Sequence, residues 1–118
     1  MFSLNDSMRY WLWSEPTDMR KSFHTLSGIV NGSMGKDPAN GDVYIFINRI
    51  RTRIKLLHWE PGGLVLYSKM LERGTFGKPS ALRPDGSLEW RDLVLMVEGI
   101  IERKSGRLQR LEYLRRAR

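Results

Sequence analysis

The five consecutive residues Val43-Tyr44-Ile45-Phe46-Ile47 constrain this chain more than any other feature. The run is β-prone and has no polar alternation, so it reads as a central strand covered on both faces. Such a strand needs an apolar layer above and another below. The chain has 118 residues, the size of one ordinary domain, and its 41% apolar content with four tryptophans supplies that material.

The flanking residues extend the pattern. Arg53-Ile54-Lys55-Leu56-Leu57-His58-Trp59 reads as a partner strand, with Arg49-Ile50-Arg51-Thr52 as a short hairpin connection. Glu60-Pro61-Gly62-Gly63 punctuates the chain before a third strand at Leu64-Val65-Leu66-Tyr67, which implies an antiparallel meander. An aromatic-rich segment, Met8 to Trp13, suits an earlier strand. Pro16-Thr17-Asp18 then carries helix-start chemistry, and Met19, Phe23, Leu26 and Val30 follow at helical spacing. That helix should fade near Asn31-Gly32, with Gly35 to Gly41 as a loop.

After a glycine- and proline-rich connection from Arg73 to Gly86, Asp85-Gly86 reads as a turn and Ser87 as an N-cap. Trp90, Leu93, Val94 and Val97 predict a second amphipathic helix, with Gly99 placed to stop it. The end has two readings: a hairpin turned at Ser105-Gly106, or a short basic helix striped by Leu108, Leu111 and Leu114.

The expected fold is therefore α+β, in the order strand-helix-strand-strand-strand-helix. It has an antiparallel sheet of about four strands and two amphipathic helices packed on it. The first helix covers one face; the second is expected on the other side or along an edge. Residues 1–102 form the domain and 103–118 a basic C-terminal extension.

Several function classes fall away. With no cysteine there is no disulfide framework, thiolate nucleophile or cysteine-rich zinc site. The first residues lack the basic start and apolar run of a secretory signal, and no stretch approaches the roughly 20 apolar residues of a membrane span. A soluble, cytoplasmic chain with no membrane partner is expected. The acids are scattered as caps, turns or solvated partners, His24 and His58 lie on different elements, and the glycines follow no phosphate-loop spacing. No catalytic, cofactor or metal residues are assigned, and catalysis is not expected. His58 reads as a satisfied strand residue.

Charge points elsewhere. The net charge is +7, yet residues 1–102 carry only +1, while residues 103–118 carry +6. Such an end attracts polyanions, nucleic acid first, although a solvated tail that keeps the chain soluble is the plainer reading. Arg103, Lys104, Arg107, Arg110, Arg115 and Arg116 are its candidate contacts. Arg49, Arg51, Arg53 and Lys55 alternate with uncharged residues and no acid interrupts them. On a continuous strand all four share one face; with a turn they cluster at a protruding tip. Phosphate binding and protection of a sheet edge are both served by such a run. Arg20 and Lys21 are candidates to grip phosphate from the first turn of a helix; equally, Asp18 caps the helix while Arg20 pairs with a nearby acid. Trp11, Trp13, Trp59 and Trp90 lie in apolar patterns and read as core rather than as base-stacking platforms.

Taken together, Pro16-Thr17-Asp18-Met19-Arg20-Lys21-Ser22-Phe23, Gly41-Asp42-Val43-Tyr44-Ile45-Phe46, Asn48-Arg49, Thr52 to Trp59, Gly63-Leu64, Lys69, Leu71-Glu72 and Gly74-Thr75-Phe76 resemble the TnpB accessory family of insertion-sequence-sixty-six elements. The motifs stand in the family's order over about residues 9 to 79, with departures at Met70 and Arg73, where the family more often has Arg and Lys; residues after Pro79 match poorly. The chain does not resemble the RNA-guided nucleases that share the TnpB name. The resemblance implies a gene beside a transposase and a protein that assists transposition, with no catalytic residues to carry over. Its implied partners are the transposase and the element's other small protein. The function expected is a non-catalytic transposition accessory that binds DNA through the basic hairpin, Arg20-Lys21 and the tail. The alternative is a protein-only adaptor docking the transposase, with an exposed apolar patch around Leu64 to Tyr67.

Overall fold

The computed structural model describes residues 4–79 and 82–98. Its elements are β1 (Tyr10–Leu12), α1 (Phe23–Gly28) running into a π-helical turn (Ile29–Ser33), β2 (Val43–Ile47), β3 (Arg53–Glu60), β4 (Gly63–Met70), β5 (Ser87–Leu88) and α2 (Trp90–Val97). The strands form one sheet in the order β4-β3-β2-β1-β5. The fold is α+β as expected, but the sheet is mixed and has five strands rather than an antiparallel four.

All five residues of β2 are buried, and the sheet is covered on both sides. Val43, Ile45 and Ile47 face a core completed by Tyr10, Ile54, Leu56, Phe76 and Leu88 and by Leu93, Met96 and Val97 of α2. Tyr44 and Phe46 face a second core with Leu57, Met19, Leu26 and Val30. The second helix therefore covers the opposite face rather than an edge. Lys69 on β4 donates to the Val97 carbonyl at 2.9 Å, placing a cation at the negative end of α2.

The meander β2-β3-β4 is antiparallel throughout, as the sequence pattern implies. Its second turn is the two residues Pro61 and Gly62, with Gly62 at φ 100, a backbone region that a side chain disfavours.

The departures lie at β1 and β5. β1 pairs with β2 in parallel, Tyr10 beside Val43 and Leu12 beside Ile45. A parallel neighbour needs a crossover, and here α1 supplies it over the Tyr44–Phe46 face. β5 adds two residues antiparallel to β1, so Ser87 is a strand residue rather than an N-cap; the cap position of α2 is Glu89. The Asp85-Gly86 turn forms as expected, with Asp85 accepting the Ser87 amide at 2.9 Å.

The first helix also begins later than its apolar spacing predicts. The Trp13 and Thr17 amides donate to the Ile45 and Ile47 carbonyls, both at 2.9 Å, so residues 13–17 continue beside β2 instead of coiling. Asp18 accepts from Arg20 locally and leaves the cap position to Ser22. Met19 still fills the core, but from this turn, while Phe23 is 43% exposed. Among the described residues, no helix is long and apolar enough to cross a membrane. The basic extension from residue 103, Gly99 and the two readings of the end lie outside the described residues.

Because each core is closed by its own helix, Leu26→Ala and Leu93→Ala should each lower unfolding free energy by about 2–5 kcal/mol in urea denaturation. Loss below about 1 kcal/mol for either would show that its face is not a packed core. Tyr10 and Tyr44 report on pH. Burial pushes both phenols up to about 12 from 10.0. The unfolded chain thus releases these protons first. Stability should hold up to about pH 10, then fall between pH 10 and 12, and Tyr10→Phe should shrink that fall.

Candidate nucleic-acid interface

Residues 13–17 track β2 to its C-terminal end, so they deliver Pro16 to Arg20 to the same end of the sheet as the β2–β3 turn. There Pro16, Thr17, Asp18, Met19 and Arg20 line one wall of a shallow groove of about 580 Å³. Asn48, Arg49, Ile50 and Arg53 line the other. Three guanidinium-bearing residues and one carboxylate meet in it.

The turn that carries Arg49 and Ile50 is tied down on either side of them, at Asn48 and at Arg51 to Arg53. The Asn48 side-chain oxygen accepts the Thr52 and Arg53 amides, each at 2.9 Å, and its amide group donates to the Thr52 hydroxyl at 3.1 Å. An Asx side chain thereby satisfies donors that a tight turn leaves unpaired. Arg51 adopts φ 60, a region costly for a side chain. Its guanidinium is half-buried and donates from Nε to the Phe76 carbonyl and from Nη2 to the Gly77 carbonyl, both at 2.8 Å. The Phe76 amide returns a 2.7 Å bond to the Arg51 carbonyl, and Phe76 itself is buried.

The cationic run is thus divided rather than displayed together. Arg51 does not join the tip: it is folded inward as a clamp on the residue 76–77 loop, and burial lowers its pKa. Lys55 is half-buried on β3 and donates to the Lys21 carbonyl at 2.7 Å, tying the strand to the segment before α1. Arg49 is exposed at the turn and Arg53 is half-exposed in the groove. Neither forms an ion pair among the described residues.

Arg20 and Lys21 precede α1 rather than opening it. Arg20 is tied to Asp18 through a 2.7 Å ion pair, and its backbone amide donates to the same carboxylate at 2.9 Å. The side-chain hydrogen bond from Arg20 holds Asp18 well below the usual carboxylate range. Of the two readings of this segment, the internal pairing of Arg20 is present, and the pair still sits on the surface. Arg103, Lys104, Arg107, Arg110, Arg115 and Arg116 lie outside the described residues.

The aromatic residues mostly pack. Trp11 donates to Asp42 at 2.9 Å and has Lys36 3.6 Å from its ring centroid; Trp13 lies against the α1-side core; Trp90 meets Tyr10 at 5.7 Å. Trp59 is the more exposed one. His58 is buried on β3, its Nδ1 3.4 Å from the Asp42 carbonyl oxygen. Among the described residues, no three His, Asp or Glu side chains converge as a metal site. Sequence reasoning missed the Arg51 clamp, the buried Phe76 and the exposed Ile50 tip. Asn48 just before a turn was the available signal for the rigid tip.

Residues 8–107 match the family model described as IS66 Orf2 like protein. The match runs past Pro79, where the recognisable motifs end, and takes in Arg103, Lys104 and Arg107 at the start of the tail, while Arg110, Arg115 and Arg116 lie beyond it. The chain is 28% identical over 102 residues to uncharacterized protein y4jC of Sinorhizobium fredii (strain NBRC 101917 / NGR234), covering 85% of this chain and 86% of that protein. It is 31% identical over 81 residues to uncharacterized protein y4hO of the same strain, covering 69% and 70% respectively. No solved structure matches it. The chain belongs to the IS66 Orf2-like family of insertion-sequence accessory proteins.

Proposed function

We propose that this protein is a non-catalytic accessory of transposition that binds duplex DNA through the groove at the C-terminal end of β2. The observation that carries the reading is the placement of Arg20, Arg49 and Arg53 around one open groove whose single carboxylate is already engaged by Arg20. Phosphate contacts need outward cations on a rigid support, and the Asn48 and Arg51 hydrogen bonds supply the support. A general base works best with a pKa near the operating pH, whereas Asp18 is held far below it. The groove thus favours binding over chemistry. Lys55 and Lys21 contribute to the field behind it, and the tail arginines are proposed as a second, delocalised contact.

The protein-adaptor reading keeps one observation in its favour. β4 is an edge of the sheet among the described residues, eight residues long, and exposes Val65 and Met70. Co-purification with the transposase that survives nuclease treatment would favour the adaptor; loss on nuclease treatment would favour DNA.

In a salt-titrated assay on duplex DNA, log affinity should fall with log salt at a slope of about −0.9 per phosphate neutralised. Arg49→Gln combined with Arg53→Gln should flatten that slope by nearly two contacts' worth, and an unchanged slope removes the groove from the reading. Asp18→Asn keeps an oxygen for the Arg20 amide but releases its guanidinium, so affinity should rise several-fold at low salt. Arg51→Met should instead lower unfolding free energy by about 1–3 kcal/mol, since it strands the Phe76 and Gly77 carbonyls; Arg49→Gln should leave stability within about 0.5 kcal/mol.

A further inference from the structure

The chemistry of the groove rim is not that of a pure phosphate clamp. Among the described large apolar side chains, Ile50 and Met70 are the most exposed, at 68% and 70%. Both flank the same cation: Ile50 shares the groove with Arg53, and Met70 is the cross-strand partner of Arg53. Turn tips ordinarily carry Gly, Asn, Asp or Ser. Here the residue at the tip is a β-branched hydrocarbon between two arginines.

That tip is also held still. Thr52 and Arg53 are pinned by the Asn48 side chain, the Arg51 amide donates to the Asn48 carbonyl at 3.1 Å, and the Leu71 amide donates to the Thr52 carbonyl at 2.8 Å. With Arg51 clamped to residues 76 and 77, the turn is braced from beneath and Ile50 is left pointing away from the core. A β-branched side chain adds few rotamers of its own. An apolar group on a stiff mount, set among cations, matches the wedge by which DNA-bending proteins unstack a base step while arginines hold the adjoining backbone.

We infer that Ile50 inserts between base pairs of the bound duplex and kinks it, with Arg49 and Arg53 on the flanking backbone and Met70 as a secondary apolar contact. The inference rests on the DNA-binding reading above and adds a shape-changing role to it: the accessory protein would bend the DNA it holds. Insertion should favour flexible pyrimidine–purine steps, which unstack most easily. Binding to unbroken G·C-rich duplex should bend it less.

The test uses the full chain and a duplex of about 30 base pairs with a central TA step, labelled at its two ends for energy transfer, with 2-aminopurine beside the step in a second preparation. The wild-type protein should raise both the end-to-end transfer and the 2-aminopurine fluorescence. Ile50→Ala, compared at protein concentrations that saturate the duplex, should keep an unaltered salt slope, since Arg49 and Arg53 remain, yet lose both signals. Ile50→Met should keep them, because a comparable apolar wedge remains. Binding by wild type with no change in transfer, or bending that persists in Ile50→Ala, overturns the wedge and leaves the DNA-binding reading standing. Failure of the wild type to bind the duplex at low salt overturns both.

Discussion

Burial of β2 on both faces is the constraint from which the remaining architecture follows. A strand with Val43, Ile45 and Ile47 on one side and Tyr44 and Phe46 on the other cannot be satisfied by a hairpin with one wet face. Each side needs its own apolar cover. α2 supplies one and the α1 crossover supplies the other. The crossover in turn fixes the pairing of β1, because a chain that passes over a sheet face between two neighbouring strands sets them parallel. Residues 13–17 then run along β2 to its C-terminal end before the chain turns back. Arg20 is thereby brought to Arg49 and Arg53, some thirty positions away in sequence, by the same demand that buries Phe46.

Positive charge is put to different uses within a few residues. Arg51 stabilises the molecule: its guanidinium bonds two loop carbonyls and its backbone sits in the left-handed region, so it is spent on the turn. Lys69 meets the carbonyl end of α2, and Lys55 joins β3 to the segment before α1. Arg49 and Arg53 are left facing the groove. An uninterrupted basic run is therefore not one functional unit. Its members differ in whether the chain nearby offers an acceptor, and that is a property of the fold.

The same distinction explains what was legible in the sequence. Strands β2, β3 and β4 carry β-prone apolar runs and helix α2 an apolar stripe at helical spacing, all bounded by turn residues, and they appear where those patterns lie. β1 and β5 are three and two residues long, too short for any periodicity to signal direction or partner. The start of α1 was obscured because its stripe includes Met19, which reaches the core from a turn, and because Asp18, a capping residue by type, is used by Arg20 instead. In the candidate site, Arg49 and Arg53 could be read from the charge run. Their neighbours Thr17 and Asp18 could not, since only the crossover brings that segment to the turn. Phe76 hides in a glycine- and proline-rich stretch whose composition signals a surface loop, yet its ring closes the α2-side core.

The central claim, that the end of the sheet formed by the β2–β3 turn and the segment before α1 is the face presented to DNA, is tested most directly by amide chemical-shift mapping. A 15N-labelled protein titrated with duplex DNA should show its largest changes at Asp18 to Lys21 and Asn48 to Arg53, two sequence-distant segments responding together. Changes confined to the β4 edge, or none within the described fold at saturating duplex, would contradict it.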